Sequence, residues 1–149
     1  MVHAMKHSAW IVGACLPALI GLSGCDKVSD NTIEPVRLVD VAKATRAKGD
    51  SYLILDARDA ASYDAGHIPG AQRMTAAQID PKDPDPRLSS YKAIYVYGEH
   101  PNHNAAKALV KRLMVAEVSS TYLMDDGFVA WKAQGQPVVT EQPAPTSSK

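Results

Sequence analysis

Beyond residue 25 the chain has no cysteine. Its two cysteines, Cys15 and Cys25, both lie near the start, so the rest holds no disulfide, no Cys-x-x-Cys pair and no zinc-type Cys/His spacing. A charge imbalance is also missing. Sixteen basic and sixteen acidic residues cancel, and without a basic block nucleic-acid binding lacks its electrostatic footprint. The N-terminal apolar run, Ala9 to Leu22, has 14 residues, short of the about 20 that span a bilayer as a helix. What is present is ordinary for a globular domain: 46% apolar and 21% charged residues over 149 positions, enough for one domain and unlike a disordered chain.

Lys6 and His7 precede the apolar run, and Leu22-Ser23-Gly24-Cys25 closes it. A basic stretch before an apolar one of this size reads as a secretory signal. The closing tetrapeptide resembles the bacterial lipobox, in which a signal peptidase cuts before a cysteine that carries diacylglycerol. The resemblance implies a signal peptide over 1–24, lipid on Cys25 and a polar tether over 25–32. The acyl chains would hold the protein at a membrane, each buried methylene contributing about 0.8 kcal/mol. Asp26, after the cysteine, implies the periplasmic side of the inner membrane. An ordinary signal peptide with a chance cysteine is the alternative.

Downstream, helical and strand patterns alternate. Arg37 to Lys48 has a helical period and stops at Gly49. Tyr52-Leu53-Ile54-Leu55-Asp56 reads as a buried parallel strand. A short helix over Asp59 to Ala65 leads into the turn Gly66-His67-Ile68-Pro69-Gly70-Ala71 and an extended piece, Gln72 to Met74. Thr75 to Ile79 is a brief helix. The three prolines of Asp80 to Pro86 force a loop. Ser119 to Met124 is a strand and Phe128 to Gln134 a helix, with Asp125 and Asp126 placed to favour its start. The tail over 141–149, rich in Pro, Ser and Thr, reads as disordered. Alternation of this kind predicts an α/β domain over 33–140: a small open parallel sheet of about five strands with helices on both faces.

One stretch organises this pattern. Ala93 to Tyr97 is a β-branched and aromatic strand, Gly98 to His103 a break, and Asn104 a candidate N-cap for an Ala/Leu-rich helix. Amide groups and the helix dipole converge at such a junction and favour an anion or an activated nucleophile. The residue in the nucleophile's place is Gly98.

Three phrases together resemble the rhodanese-like (sulfurtransferase) domain family. They are Asp56-Ala57-Arg58 with Gly66-His67-Ile68-Pro69-Gly70-Ala71, the Ile94–Tyr97 strand with its loop, and Gly127-Phe128-Val129-Ala130-Trp131 with Gly135-Gln136-Pro137-Val138. On their own chemistry, Asp56 and Arg58 read as a clamp where the strand ends. His67 reads as satisfying backbone in a tight turn, and Trp131 as a core anchor. The resemblance implies a cysteine that opens the loop, of the form Cys-x-x-Gly-x-Arg, and carries sulfur as a persulfide. Here the loop is Gly98-Glu99-His100-Pro101-Asn102-His103. Gly98 replaces the cysteine, Pro101 has no N–H to give an anion, and His103 replaces a permanent positive charge. Glu99 adds a negative one.

These departures favour a catalytically inactive, membrane-anchored periplasmic domain that binds a protein partner or a small anion and needs no cofactor. Two alternatives stay open. One is a sulfurtransferase-related activity using a partner's thiol. The other is a His-based or metal-dependent enzyme built on His100 and His103, three residues apart, with His67 or Glu99.

Overall fold

The strand sequences Tyr52–Asp56, Ala93–Tyr97 and Thr121–Met124 alternate their apolar side chains between two sides, and this divides the core into two layers. The computed structural model describes residues 28–47, 51–118 and 120–140. The expected signal peptide, Cys25, the Gly49 helix stop and the 141–149 tail lie outside the described residues. Five parallel strands run β1 (Glu34–Val36), β2 (Tyr52–Asp56), β3 (Gln72–Arg73), β4 (Ala93–Tyr97) and β5 (Thr121–Met124), in the spatial order β1-β5-β4-β2-β3. Helices α1 (Leu38–Arg46), α2 (Ala60–Asp64), α3 (Asn104–Val115) and α4 (Gly127–Ala133) connect and cover them. Leu53, Leu55, Ile94, Val96 and Leu123 face α3, where Ala106, Leu109, Val110 and Leu113 are buried. Ile54, Tyr97 and Met124 face the other way, against Leu38 and Val41 of α1 and Phe128 and Trp131 of α4. The expected α/β architecture is the one observed. Among the described residues no helix is long and apolar enough to cross a membrane.

Several local expectations are corrected. Asn104 is not the N-cap of α3; His103 holds that position in extended backbone, without a side-chain cap bond. Asp126 does stand at the start of α4, in its N-cap position, but makes no side-chain cap bond there. The Asp126 carboxylate accepts from the amide of Leu38 at 2.9 Å, capping α1, and Asp125 accepts from Asn102 N at 3.0 Å. Thr75 to Ile79 narrows to a 3-10 turn over Ala76–Gln78 with a capping box, and a second 3-10 turn, Pro86–Ser90, follows the proline loop. The edge strand β1 is an addition: Pro35 sits at its centre, tolerated because an edge strand needs ladder bonds on one side only. Within the expected tether, Asp30–Thr32 forms one 3-10 turn, held to α3 by ion pairs from Asp30 to Lys107 and Lys111.

Candidate functional site

The middle strand β4 ends at Tyr97, in register with Asp56 at the end of β2. That pairing builds the floor of the site. Tyr97 Oη donates to Asp56 Oδ2 at 2.5 Å, and both side chains are almost wholly buried. The chain turns after Asp56 because its Oδ1 accepts from the Arg58 amide at 2.9 Å. Arg58 is thereby folded back on Asp56. Its Nε and Nη2 donate to the carboxylate at 2.7 to 3.1 Å, and Nη2 also reaches the Gly66 carbonyl at 2.6 Å. The guanidinium lies 3.9 Å from the centre of the Phe128 ring. Burial alone would lower the Arg58 pKa, but its hydrogen bonds to Asp56 and Glu99 and the charge of Asp56 outweigh it and raise it. Tyr97 is pushed up as well, first by burial and then by the Asp56 carboxylate. Both groups keep their protons throughout the physiological range.

Arg58 Nη1 donates to Glu99 Oε2 at 2.8 Å. The acid of the loop therefore covers the buried guanidinium beneath it. His67 stacks on Tyr63 at 3.8 Å between ring centroids, and its Nδ1 sits 3.0 Å from the Tyr63 carbonyl. Its backbone exchanges both bonds with Val139, which ties down the C-terminal segment. Gly70, at φ +79°, completes a type II turn behind Pro69, closed by Ala71 N to Ile68 O at 2.9 Å. Trp131 is fully buried and donates from Nε1 to the Pro137 carbonyl at 2.8 Å.

The loop rests on the start of α4. The carbonyls of Gly98 and Glu99 accept from the amides of Phe128 and Val129 at 2.8 and 2.9 Å, which uses two of the helix's otherwise unpaired donors. Gly127, at φ +76°, is required there, since a Cβ would fall 2.7 Å from His100 Cα. Asn102 takes a left-handed conformation, φ 61°, and accepts from Lys107 Nζ at 2.9 Å. Gly98 is buried beneath His103, and a Cβ at residue 98 would meet the His103 ring and Cβ at 2.4 Å. His103 Nδ1 is buried without a hydrogen-bond partner. His100 is exposed, its ring centre 5.5 Å from that of His103. Among the described residues no three His, Cys, Asp or Glu side chains converge as a metal-binding group. Beside the loop, Arg58, Ser62, Gly66, Glu99, Phe128 and Lys132 border a cavity of about 170 Å³, below the ~300 Å³ at which ligand pockets begin.

The rhodanese-like domain model matches residues 38–134. The chain belongs to the rhodanese-like domain family. It is 33% identical over 84 residues to the thiosulfate sulfurtransferase GlpE of Pseudoalteromonas translucida, covering 56% of this chain and 76% of that one. The rhodanese-like domain of the Anabaena protein Alr3790 superposes with a TM-score of 0.54 at 27% identity, over 77% of this chain and 86% of that one. The Bacillus halodurans protein BH2092 superposes at 0.64 over 72% of this chain and 77% of that one, and its 21% identity makes this a likeness of fold alone.

The residues singled out from the sequence thus fall into three groups. Asp56, Arg58, Gly66 and Glu99 meet around one guanidinium, and Gly98, His100 and His103 meet in the loop beside it. His67, Gly70 and Trp131 hold turns and core. Tyr97, Phe128 and Lys132 also border the site, a role the sequence reading does not give them. The signal available for Tyr97 was its hydroxyl at the last, buried position of the central strand.

Proposed function

We propose that this rhodanese-like domain works by binding a protein partner and not by transferring sulfur, and that lipid on Cys25 holds it at the periplasmic face of the inner membrane. The observation that carries the first part is the pairing of Gly98 with His103. The position that opens the loop has no side chain, and an imidazole fills the space in front of it. No cysteine follows residue 25 to replace it. A small anion is the weaker ligand, because Arg58 is already paired with both Asp56 and Glu99 and Pro101 has no N–H to give. A partner would read the exposed loop surface around His100, Pro101 and Asn102.

Thiosulfate:cyanide and 3-mercaptopyruvate sulfurtransferase assays on the full chain test the reading, with thiosulfate titration by calorimetry alongside. The expected result is no turnover above buffer and no binding at millimolar thiosulfate. Turnover would overturn it, and tight thiosulfate binding would restore the anion. The metal-dependent reading predicts zinc, nickel or copper retained through dialysis and lost in a His100→Ala/His103→Ala variant.

A further inference from the structure

Val28, the first described residue, walls a groove of about 580 Å³ on the outer side of α3. Ala76, Ala108 and Val115 make it apolar, and Lys111 and Arg112 border it. Val115 is 50% exposed, an apolar side chain with nothing over it among the described residues. Arg112 is exposed and uses its Nε on the Ile79 carbonyl at 2.9 Å. Asp30 pairs with Lys107 and Lys111, which fixes this end of the chain on α3.

Val28 is three residues from Cys25, a reach of at most about 10 Å. Whatever surface holds the lipid is therefore within that distance of the groove wall. We infer that the α3 face lies against the bilayer, with Arg112 among anionic headgroups and Val28, Ala108 and Val115 toward the acyl boundary. This rests on the lipid-anchor reading of Cys25. The anchor makes contact with the membrane effectively intramolecular, so a weak surface suffices. Attraction is modest, because Asp30 already pairs with Lys107 and Lys111 on this face. The apolar groove supplies the rest. The opposite face, with α1 and α4, then points away from the membrane.

With Cys25 alkylated to a thioether and no cysteine after it, the processed chain has no free thiol, so a Val115→Cys or Val129→Cys substitution introduces a unique labelling site. Val129, on α4, is equally exposed at 49%. The full-length, processed lipoprotein carrying an environment-sensitive fluorophore is reconstituted in phosphatidylethanolamine/phosphatidylglycerol vesicles doped with nitroxide-headgroup lipid. Quenching several-fold stronger at 115 than at 129 is expected. Equal quenching at the two positions overturns the orientation while leaving the anchor intact. Shielding of 115 from aqueous iodide without quenching by the labelled lipid means that the protein's own acyl chain or a second copy fills the groove, and also overturns it. An N-terminal peptide whose mass lacks diacylglycerol overturns the anchor and this inference with it.

Discussion

His103 stands over Gly98 so closely that the two positions behave as one. The Gly98 backbone is one that any residue adopts, so the steric contact at 2.4 Å is the whole barrier to a side chain there. Gly98→Ala should therefore destabilise the fold by about 1–3 kcal/mol. In a His103→Ala background most of that cost should vanish. A double-mutant cycle by urea denaturation, read by Trp131 fluorescence, should give a coupling above about 1 kcal/mol. Additive costs would mean that His103 moves aside freely.

The same relationship governs any attempt to restore a nucleophile. A Gly98→Cys thiol should react slowly with a disulfide reagent, and a Gly98→Cys/His103→Ala thiol much faster. Uptake of one sulfur atom from thiosulfate, followed by mass spectrometry, should be confined to the double variant. Equal reactivity in both would show that the imidazole does not shield position 98.

Arg58 should be far more sensitive than Glu99. Replacing Arg58 by Met leaves the Asp56 carboxylate buried without its counter-ion, which costs about 3–5 kcal/mol. Glu99 is 36% exposed at the other end of the guanidinium. Its ion pair is screened by water, so Glu99→Gln should cost under about 1 kcal/mol. Urea midpoints of the two variants check the ratio, and a reversed order would contradict the assignment of Asp56 as the main partner.

Alkaline pH should expose the burial of Tyr97. Its pKa is raised by burial first and by Asp56 second, so the folded state keeps a proton that the unfolded state releases near pH 10. The associated stability is complete below pH 10 and lost above it, at up to about 1.4 kcal/mol per pH unit for one group. Tyr97→Phe removes this dependence while losing the bond to Asp56. The stability gap between wild type and variant should be constant up to pH 9 and narrow by pH 11. A constant gap to pH 11 would show that Tyr97 ionises as easily folded as unfolded.

Asp126 caps a helix distant in sequence. Asp126→Ala leaves the Leu38 amide without its acceptor and should cost about 1 kcal/mol, typical of a lost N-cap. Hydrogen exchange should quicken in the first turn of α1 and not in α4. Faster exchange in α4 alone would return Asp126 to the role expected from its neighbours.

What was legible in the sequence was local or periodic. The β2, β4 and β5 runs announce themselves by composition, and the Asp56–Arg58 clamp spans only two residues. The β1 strand was not legible, because Glu34-Pro35-Val36 is extended through pairing with β5 and not by propensity. Adjacent acids before a helix read as favouring its start, and Asp126 does stand there, yet its carboxylate serves an amide 88 residues away and that of Asp125 one 23 away. Glu99 closing on Arg58 across 41 residues is likewise a product of strand order. Loop composition told that Gly98 cannot carry sulfur. It could not tell that His103 turns inward, since a loop has no period from which to read a side chain's direction.

The sheet's two borders have a consequence for how a partner can attach. On one side β1 is three residues long with Pro35 at its centre; on the other β3 is two residues long. Neither offers enough free backbone donors and acceptors to template a foreign strand. A partner that recruits itself by adding to a sheet, as many peptide ligands do, finds no register here. If the domain works by binding a partner, as proposed above, recognition would run through side chains on the loops and helices and not through a sheet edge.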